Sequence, residues 1–293
     1  MINNFDVVVC TVKRHFVLKK CVESILKNNI RPNRLIVVDQ NHDDLSILSI
    51  KKIFSIYNFK NYLIIKNISK KSLTASKNIA LKFIKSKYVF FLDDDISIDK
   101  YFFFNSLSIM VKKKCTGVCG IILNYKNNYL KNFFYNIFNY FEFKDNRVYF
   151  NYEKNKKLKS DSKKIYHLPG GITCFKSSIF KKISFDQSLI THNYEDVDFN
   201  YRLKNKIKDY EVYISFNSYA FDLIRKNFKE NMNKRFFYMR LLYLKHKNIK
   251  FFFIYNLSFF GLFLISLIKL NLFFVKDIFK ILNLAKKKHK AYS

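Results

Sequence analysis

Apolar residues in the first 125 positions come in short runs separated by amphipathic stretches. Phe5 to Thr11 is a Val-rich run. From His15 to Asn29, Phe16, Leu18, Val22, Ile25 and Leu26 recur at helical spacing on one side. Leu35 to Val38 is a second run and ends at Asp39. Leu45 to Tyr57 again has helical spacing, Tyr62 to Ile65 is a third run, Leu73 to Ser86 a third helix, and Tyr88 to Leu92 a fourth strand. Strands that are apolar at nearly every position need cover on both faces. The intervening helices supply it. The pattern predicts an α/β fold, a mainly parallel Rossmann-type sheet with helices on both sides, of the kind that binds nucleotides.

The pattern changes twice further on. From about Asn124 to Lys164 the chain is rich in Asn, Lys, Tyr and Phe without a clean period. This reads as a variable insertion, helical around Tyr129 to Phe141. Regular signals return at Leu168-Pro169-Gly170-Gly171, with a helix near Glu195 to Asn205 and a strand around Val212 to Phe216. Residues 1–227 are therefore expected to form one α/β domain with a variable insertion at about 124–164, and residues 228–293 C-terminal amphipathic and hydrophobic helices. Phe228 to Lys247 mixes Arg and Lys with Phe and Leu. Phe251 to Ile268 is 18 residues without a charge, at the lower limit for a spanning helix. Leu270 to Leu284 is a more broken apolar stretch, and the chain ends in a Lys-rich tail. This region fits a span or shallow hairpin, an interfacial helix with lysines on anionic headgroups, or a helix that caps a core or a dimer contact.

The net charge of +32 points to an anionic partner. Only 8 of the 54 basic residues are Arg, and the abundance of Lys, Asn, Ile, Phe and Tyr also fits AT-rich codon usage. No recognisable RNA- or DNA-binding motif accompanies the charge. The five Cys include no C-x-x-C pair, which argues against a zinc ribbon. Their odd number and the lack of an apolar leader predict free thiols in a reducing compartment, at the cytoplasmic face of a membrane.

Acidic residues are scarce, 22 against 54 basic, so where they cluster matters. Asp93, Asp94 and Asp95 follow a buried strand. Adjacent carboxylates repel unless a cation neutralises them. Ligands bind at the carboxyl ends of such strands, and hard divalent ions take oxygen ligands shared with phosphates. The triplet predicts a site for Mg²⁺ or Mn²⁺ and a nucleotide; the competing reading is a turn whose Asp side chains cap the next helix. Glu195, Asp196 and Asp198 open a helix, where carboxylates are also favoured by the dipole. Functionally, one of them can serve as a general base toward a hydroxyl. Asp39 is either a turn residue or an acceptor for a base or ribose.

In their order and spacing these segments resemble the inverting glycosyltransferase family 2, over about Phe5 to Arg240. The run Val7 to Arg14 is similar to the family's first strand and loop. Ile36 to Gln40 is similar to the strand whose Asp contacts the base, and Thr74-Ala75-Ser76-Lys77-Asn78 to a segment that usually reads Ala-Arg-Asn. Phe91 to Asp95 resembles the DXD motif, Leu168 to Phe175 the glycine-containing strand beside the donor sugar, and Tyr194 to Arg202 the catalytic ED segment. The resemblance implies a GT-A-like fold and single-displacement transfer from a nucleotide-sugar to a glycan or glycolipid acceptor, in surface polysaccharide or glycolipid synthesis. It implies donor contacts from Thr11, Arg14, Asp39, Lys77, Asp93, Asp94, Gly170 and Gly171. Asp93 and Asp95 would hold the metal, Asp196 would act as base, and Glu195 would orient the acceptor. Three departures stand out. Lys77 replaces Arg, Ser72-Leu73 replaces a customary glycine, and no His follows the ED segment between Ser215 and Asp222; His192 reads as a loop residue. A metal-dependent nucleotidyltransferase is the enzymatic alternative, although no Gly-rich loop follows the first strand. A basic nucleic-acid- or membrane-binding protein without catalysis is the alternative of another class.

Overall fold

The computed structural model describes residues 4–69, 72–124, 160–188 and 195–224, with isolated helical positions from 242 to 260. The chain divides into two compact units. One comprises Met1–Lys126 and Asp145–Arg225, the other Asn127–Lys144 and Lys226–Ser293. Every candidate site residue belongs to the first. The expected helix around Tyr129 to Phe141, His192, and nearly all of Phe251 to Ile268 and the basic tail lie outside the described residues. Among the described residues, no helix is long and apolar enough to cross a membrane.

The first unit alternates strand and helix through β1 (Phe5–Thr11), α1 (His15–Leu26), β2 (Arg34–Asp39), α2 (Leu45–Ile56), β3 (Tyr62–Lys66), α3 (Leu73–Leu81) and β4 (Tyr88–Asp93). Next come β5 (Ile96–Ile98), α4 (Phe102–Lys112), β6 (Gly117–Ile122), β7 (Ser162–Ile165), β8 (Ile172–Lys176), a 3-10 turn over Ser177–Lys181, α5 (Glu195–Lys206) and β9 (Val212–Asp222). The nine described strands form one sheet in the order β3-β2-β1-β4-β8-β6-β9-β5, with β7 paired to β9. β3, β2, β1 and β4 are mutually parallel. β8 then runs antiparallel between β4 and β6, so the far half of the sheet is mixed.

The continuous apolar runs are explained by their two faces. Val7, Val9, Leu35, Val37, Phe90 and Leu92 belong to one core, covered by α1, α2 and α4. Their neighbours Val8, Ile36, Val38, Val89 and Phe91 belong to a second core with α3 and α5. Period-two alternation thus places successive apolar residues of β1, β2 and β4 in one layer or the other. Aromatic packing fills the second layer, where Phe185 and Phe199 stack at 4.4 Å.

Two local outcomes differ from the sequence pattern. Phe16 is 80% exposed although its helical partners Leu18, Val22, Ile25 and Leu26 are buried. It sits in the first turn of α1, at the rim beyond the sheet's cover. α3 stops at Leu81 instead of reaching Ser86, because the buried Asp6 carboxylate accepts the Lys85 and Ser86 N–H groups and the Ser86 hydroxyl. Those amides are therefore withdrawn from helical bonding. At its other end α3 is capped by Ser72, whose Oγ accepts the Ala75 N–H at 3.1 Å. This gives the departure at Ser72 a local reason, since Ser is a strong N-cap. Ser72→Ala is expected to cost about 1 kcal/mol, read as a lower midpoint in denaturant unfolding; an unchanged midpoint would show the cap to be idle.

Candidate active site

Strand order reverses about β1, which lies between β2 and β4. Open α/β sheets bind ligands at such switch points, beyond the carboxyl ends of the strands. Register places the candidate acids there. Thr11 is level with Asp39 on β2, and Cys10 is level with Asp93 on β4. Three neighbouring strands therefore deliver Asp39, Thr11 and Asp93 to one edge.

The three consecutive aspartates have different surroundings. Asp94 accepts the Thr11 hydroxyl at 2.7 Å and Arg14 Nη1 at 2.8 Å. The same Nη1 donates to Asp95 at 2.7 Å. Both carboxylates are buried. Burial pushes the Asp94 carboxyl up to about 6, against the pull of Thr11 and Arg14. Burial by itself would lower the Arg14 guanidinium, but the adjacent acids outweigh it and hold it above its usual value. Arg14 is brought in by Lys13, which has a left-handed backbone at φ 56° and an N–H bonded to Asn41 Oδ1 at 2.6 Å. A non-glycine residue in that region is strained, and such strain concentrates at functional sites.

Asp93 is the open member of the triplet. Its side chain is only half-buried and accepts no hydrogen bond among the described residues. Its backbone N–H donates to Gly171 O at 2.9 Å, so the carboxylate lies directly against the start of β8. A Cβ on Gly171 would overlap the Asp93 carboxylate. This glycine is required by close approach.

Asp39 is fully buried, with Oδ1 accepting the Asn41 amide at 2.6 Å and the Asn41 N–H at 3.0 Å. Its Oδ2 lies 3.0 Å from Lys66 Nζ. Lys66 also donates to the carbonyl oxygens of Asn41 and Asp43. Asp39 therefore fixes the loop at the strand end, with its Oδ2 buried against Lys66.

The second acidic group is sorted by burial. Glu195 is buried and paired with Lys77 at 3.2 Å. Asp198 is fully buried and paired with Arg202 at 2.7 Å. Only Asp196 is half-open; its Oδ2 accepts the Gly170 N–H at 2.9 Å and its Oδ1 the Val197 N–H at 2.8 Å. Burial raises the Glu195 carboxyl although Lys77 opposes it. Gly170, Asp196 and Lys77 line one small crevice with Phe91, Phe185 and Phe199. Asp93 lies next to Gly171, so both acidic groups border the same pair of glycines.

Other supports were not singled out from the sequence. Asn200 pairs with Leu168 like a strand residue, accepting its N–H at 3.1 Å and donating to its carbonyl at 2.9 Å. Asn78 does the same with Phe185 at 2.9 and 2.7 Å. Each holds a segment beside the crevice. Asn41 and Lys66 act similarly on the Asp39 loop. The available signal for Asn78 was its place in the segment similar to Ala-Arg-Asn; Asn200, among the charged residues of α5, and Lys66, at the end of β3, carried none.

The family model for glycosyl transferase family 2 matches residues 6–184, which span β1 through β8 and both glycines. The chain belongs to glycosyl transferase family 2. The fold agrees with solved structures of GT-A glycosyltransferases. S. aureus TarS 1–349 superposes with a TM-score of 0.55 at 16% identity, covering 81% of this chain and 64% of that one. The mannosyltransferase PcManGT from Pyrobaculum calidifontis, in complex with GDP-Man and Mn²⁺, gives 0.57 at 11% identity, covering 83% and 62%. GalNAc-T7 with UDP, GalNAc and Mn²⁺ gives 0.55 at 12% identity, covering 76% and 44%. The chain thus spans less than two thirds of these proteins' lengths. No curated protein sequence matches it significantly.

In this family 2 chain the residues around Asp93 fit a divalent cation. Oxygen donors suit Mg²⁺ or Mn²⁺, and Asp93 offers a half-open carboxylate without a hydrogen-bond donor. Asp95 becomes available only if Arg14 turns away. No group of three or more His, Cys, Asp or Glu among the described residues is arranged to hold a metal unaided. A cation here would share the phosphates and water, as Mg²⁺ commonly does.

Proposed function

We propose that this family 2 protein transfers a sugar from a nucleoside-diphosphate donor to an acceptor hydroxyl, with inversion at the anomeric carbon. The observation that supports it most is the pairing of half-open Asp93 and half-open Asp196 across Gly170 and Gly171, with every other acid of the two clusters buried and bonded. One acid faces the donor phosphates and the other faces an incoming hydroxyl.

Asp93, with Asp95, would hold Mg²⁺ or Mn²⁺, which supplies Lewis-acid stabilisation of the departing diphosphate. The same ion in PcManGT and GalNAc-T7 agrees with that choice. Thr11 and Arg14 fix Asp94 and Asp95, so the strand end does not repel itself apart. Gly170 and Gly171 let Asp93, Glu195 and Asp196 close on the start of β8. Asp196 takes the acceptor's proton as the oxygen attacks, and no covalent nucleophile is needed. Glu195 faces inward and acts through its neighbours. The acceptor reading remains a glycan or glycolipid, with the Lys-rich C-terminal region on an anionic membrane surface.

Donor binding tests this directly. A nucleoside diphosphate at about 100 times its Kd should stabilise the protein by about 2.7 kcal/mol, seen as a higher thermal midpoint, and only when Mn²⁺ is present. Asp93→Asn should abolish that shift. Equal shifts in wild type and variant, or with and without Mn²⁺, would remove the metal from the donor site.

A further inference from the structure

Lys77 is one of the donor contacts that the family resemblance implies, yet its surroundings belong to the protein. Its side chain is 4% exposed and Nζ lies 3.2 Å from Glu195 Oε1. The same nitrogen is 3.5 Å from Gly170 O. Two rings wall it in, Phe185 at 5.1 Å and Phe91 at 5.9 Å from their centroids. An added Cβ on Gly170 would come within 3.4 Å of it. One ammonium thus joins the middle of α3, the glycine segment before β8, and the first residue of α5. Gly170 in turn donates its N–H to Asp196 Oδ2 at 2.9 Å.

Burial by itself would lower the Lys77 ammonium, but Glu195 and Asp93 outweigh it and raise it instead. It stays charged, with two of its three N–H directions taken by Glu195 and the Gly170 carbonyl and aromatic rings beside it. A phosphate would need to displace a carboxylate and a carbonyl inside an aromatic wall. Arg14, with 34% of its side chain exposed, is the cation at the open edge.

We propose that Lys77 is a positioning residue for the Glu195–Asp196 pair and not a ligand of the donor phosphates. It holds Glu195 from one side and the Gly170 carbonyl from the other. The angle between Gly170 and Asp196, and so the aim of the base, depends on it. The inference rests on the reading of Asp196 as the base.

Lys77→Met and Lys77→Arg separate the two roles. With Mn²⁺ and the nucleoside diphosphate that stabilises wild type, Lys77→Met should keep Kd within about threefold by calorimetry. Its kcat at saturating donor should fall about 100-fold, the scale of a misaimed reacting group. Lys77→Arg, which keeps the charge and donors, should recover most of kcat. A loss of nucleotide affinity of about tenfold or more in Lys77→Met would overturn the proposal, as would an unchanged kcat. Lys77→Met leaves Glu195 as a buried unpaired acid and can fail to fold. The double variant Lys77→Met with Glu195→Gln removes that charge, and should bind nucleotide normally with a lowered kcat. If wild type transfers no sugar at all, the functional reading falls. The clamp is then decided by stability: coupled losses from Lys77→Met and Glu195→Gln retain it, and additive losses refute it.

Discussion

Asp196→Asn is expected to lower sugar transfer by about 10³-fold while the nucleotide still binds. Positioned proton transfer contributes about 10²–10⁴-fold, and Asp196 is the half-open carboxylate of the ED segment. Glu195 and Asp198 cannot substitute, since each is buried against a cation. The change is nearly isosteric. Asn has one acceptor oxygen where Asp196 uses two, so either the Gly170 or the Val197 N–H loses its partner. That should lower stability by about 1–3 kcal/mol, enough to see in a thermal melt. Transfer measured at saturating donor, below the melting transition, isolates the chemical loss. Activity within about tenfold of wild type would show that another group takes the proton.

Gly171→Ala should be nearly as damaging, for a different reason. The added methyl would occupy the space of the Asp93 carboxylate. Asp93 is anchored through its N–H to Gly171 O at 2.9 Å and its strand is paired on both sides, so the backbone cannot yield cheaply. The carboxylate must swing away from β8, taking the proposed cation ligand with it. Mn²⁺-dependent transfer should fall by about 10² or more, the size expected when a reacting group is misplaced by about 1 Å. Gly170→Ala provides the contrast. Its added Cβ would sit 3.0 Å from Glu195 Oε1, 3.4 Å from Lys77 Nζ and 3.5 Å from Asp196 Cβ, so it presses on the Lys77–Glu195 contact and should lower kcat while leaving Mn²⁺ affinity unchanged. Equal losses of Mn²⁺ affinity in the two variants, or Mn²⁺ affinity unchanged in Gly171→Ala, would argue against Asp93 as the ligand.

Much of this was readable along the chain. The runs at Phe5, Leu35, Tyr62 and Tyr88 became β1 to β4 within a residue or so, because a strand covered on both faces must be apolar throughout. The Asp triplet and the ED segment stood out because acids are scarce here and sit where a strand ends or a helix begins. The short β5 and the strands β6 and β7 were not legible. Their pairing with β8 and β9 joins residues far apart in sequence, and β7 emerges from a segment with no period. The end of α3 was also hidden, because it is set by Asp6, which lies some 80 positions earlier.

By itself the sequence determined the α/β alternation, the parallel half of the sheet and the set of acids available for chemistry. These follow from local periodicity and from which residue types occur together. Only the tertiary structure decided how those acids divide their work. Asp94 and Asp95 share Arg14, Glu195 pairs with Lys77, Asp198 with Arg202 and Asp39 with Lys66, leaving Asp93 and Asp196 half-open on either side of two glycines. A carboxylate's role depends on its burial and on the nearest cation, and both are fixed by contacts between distant parts of the chain.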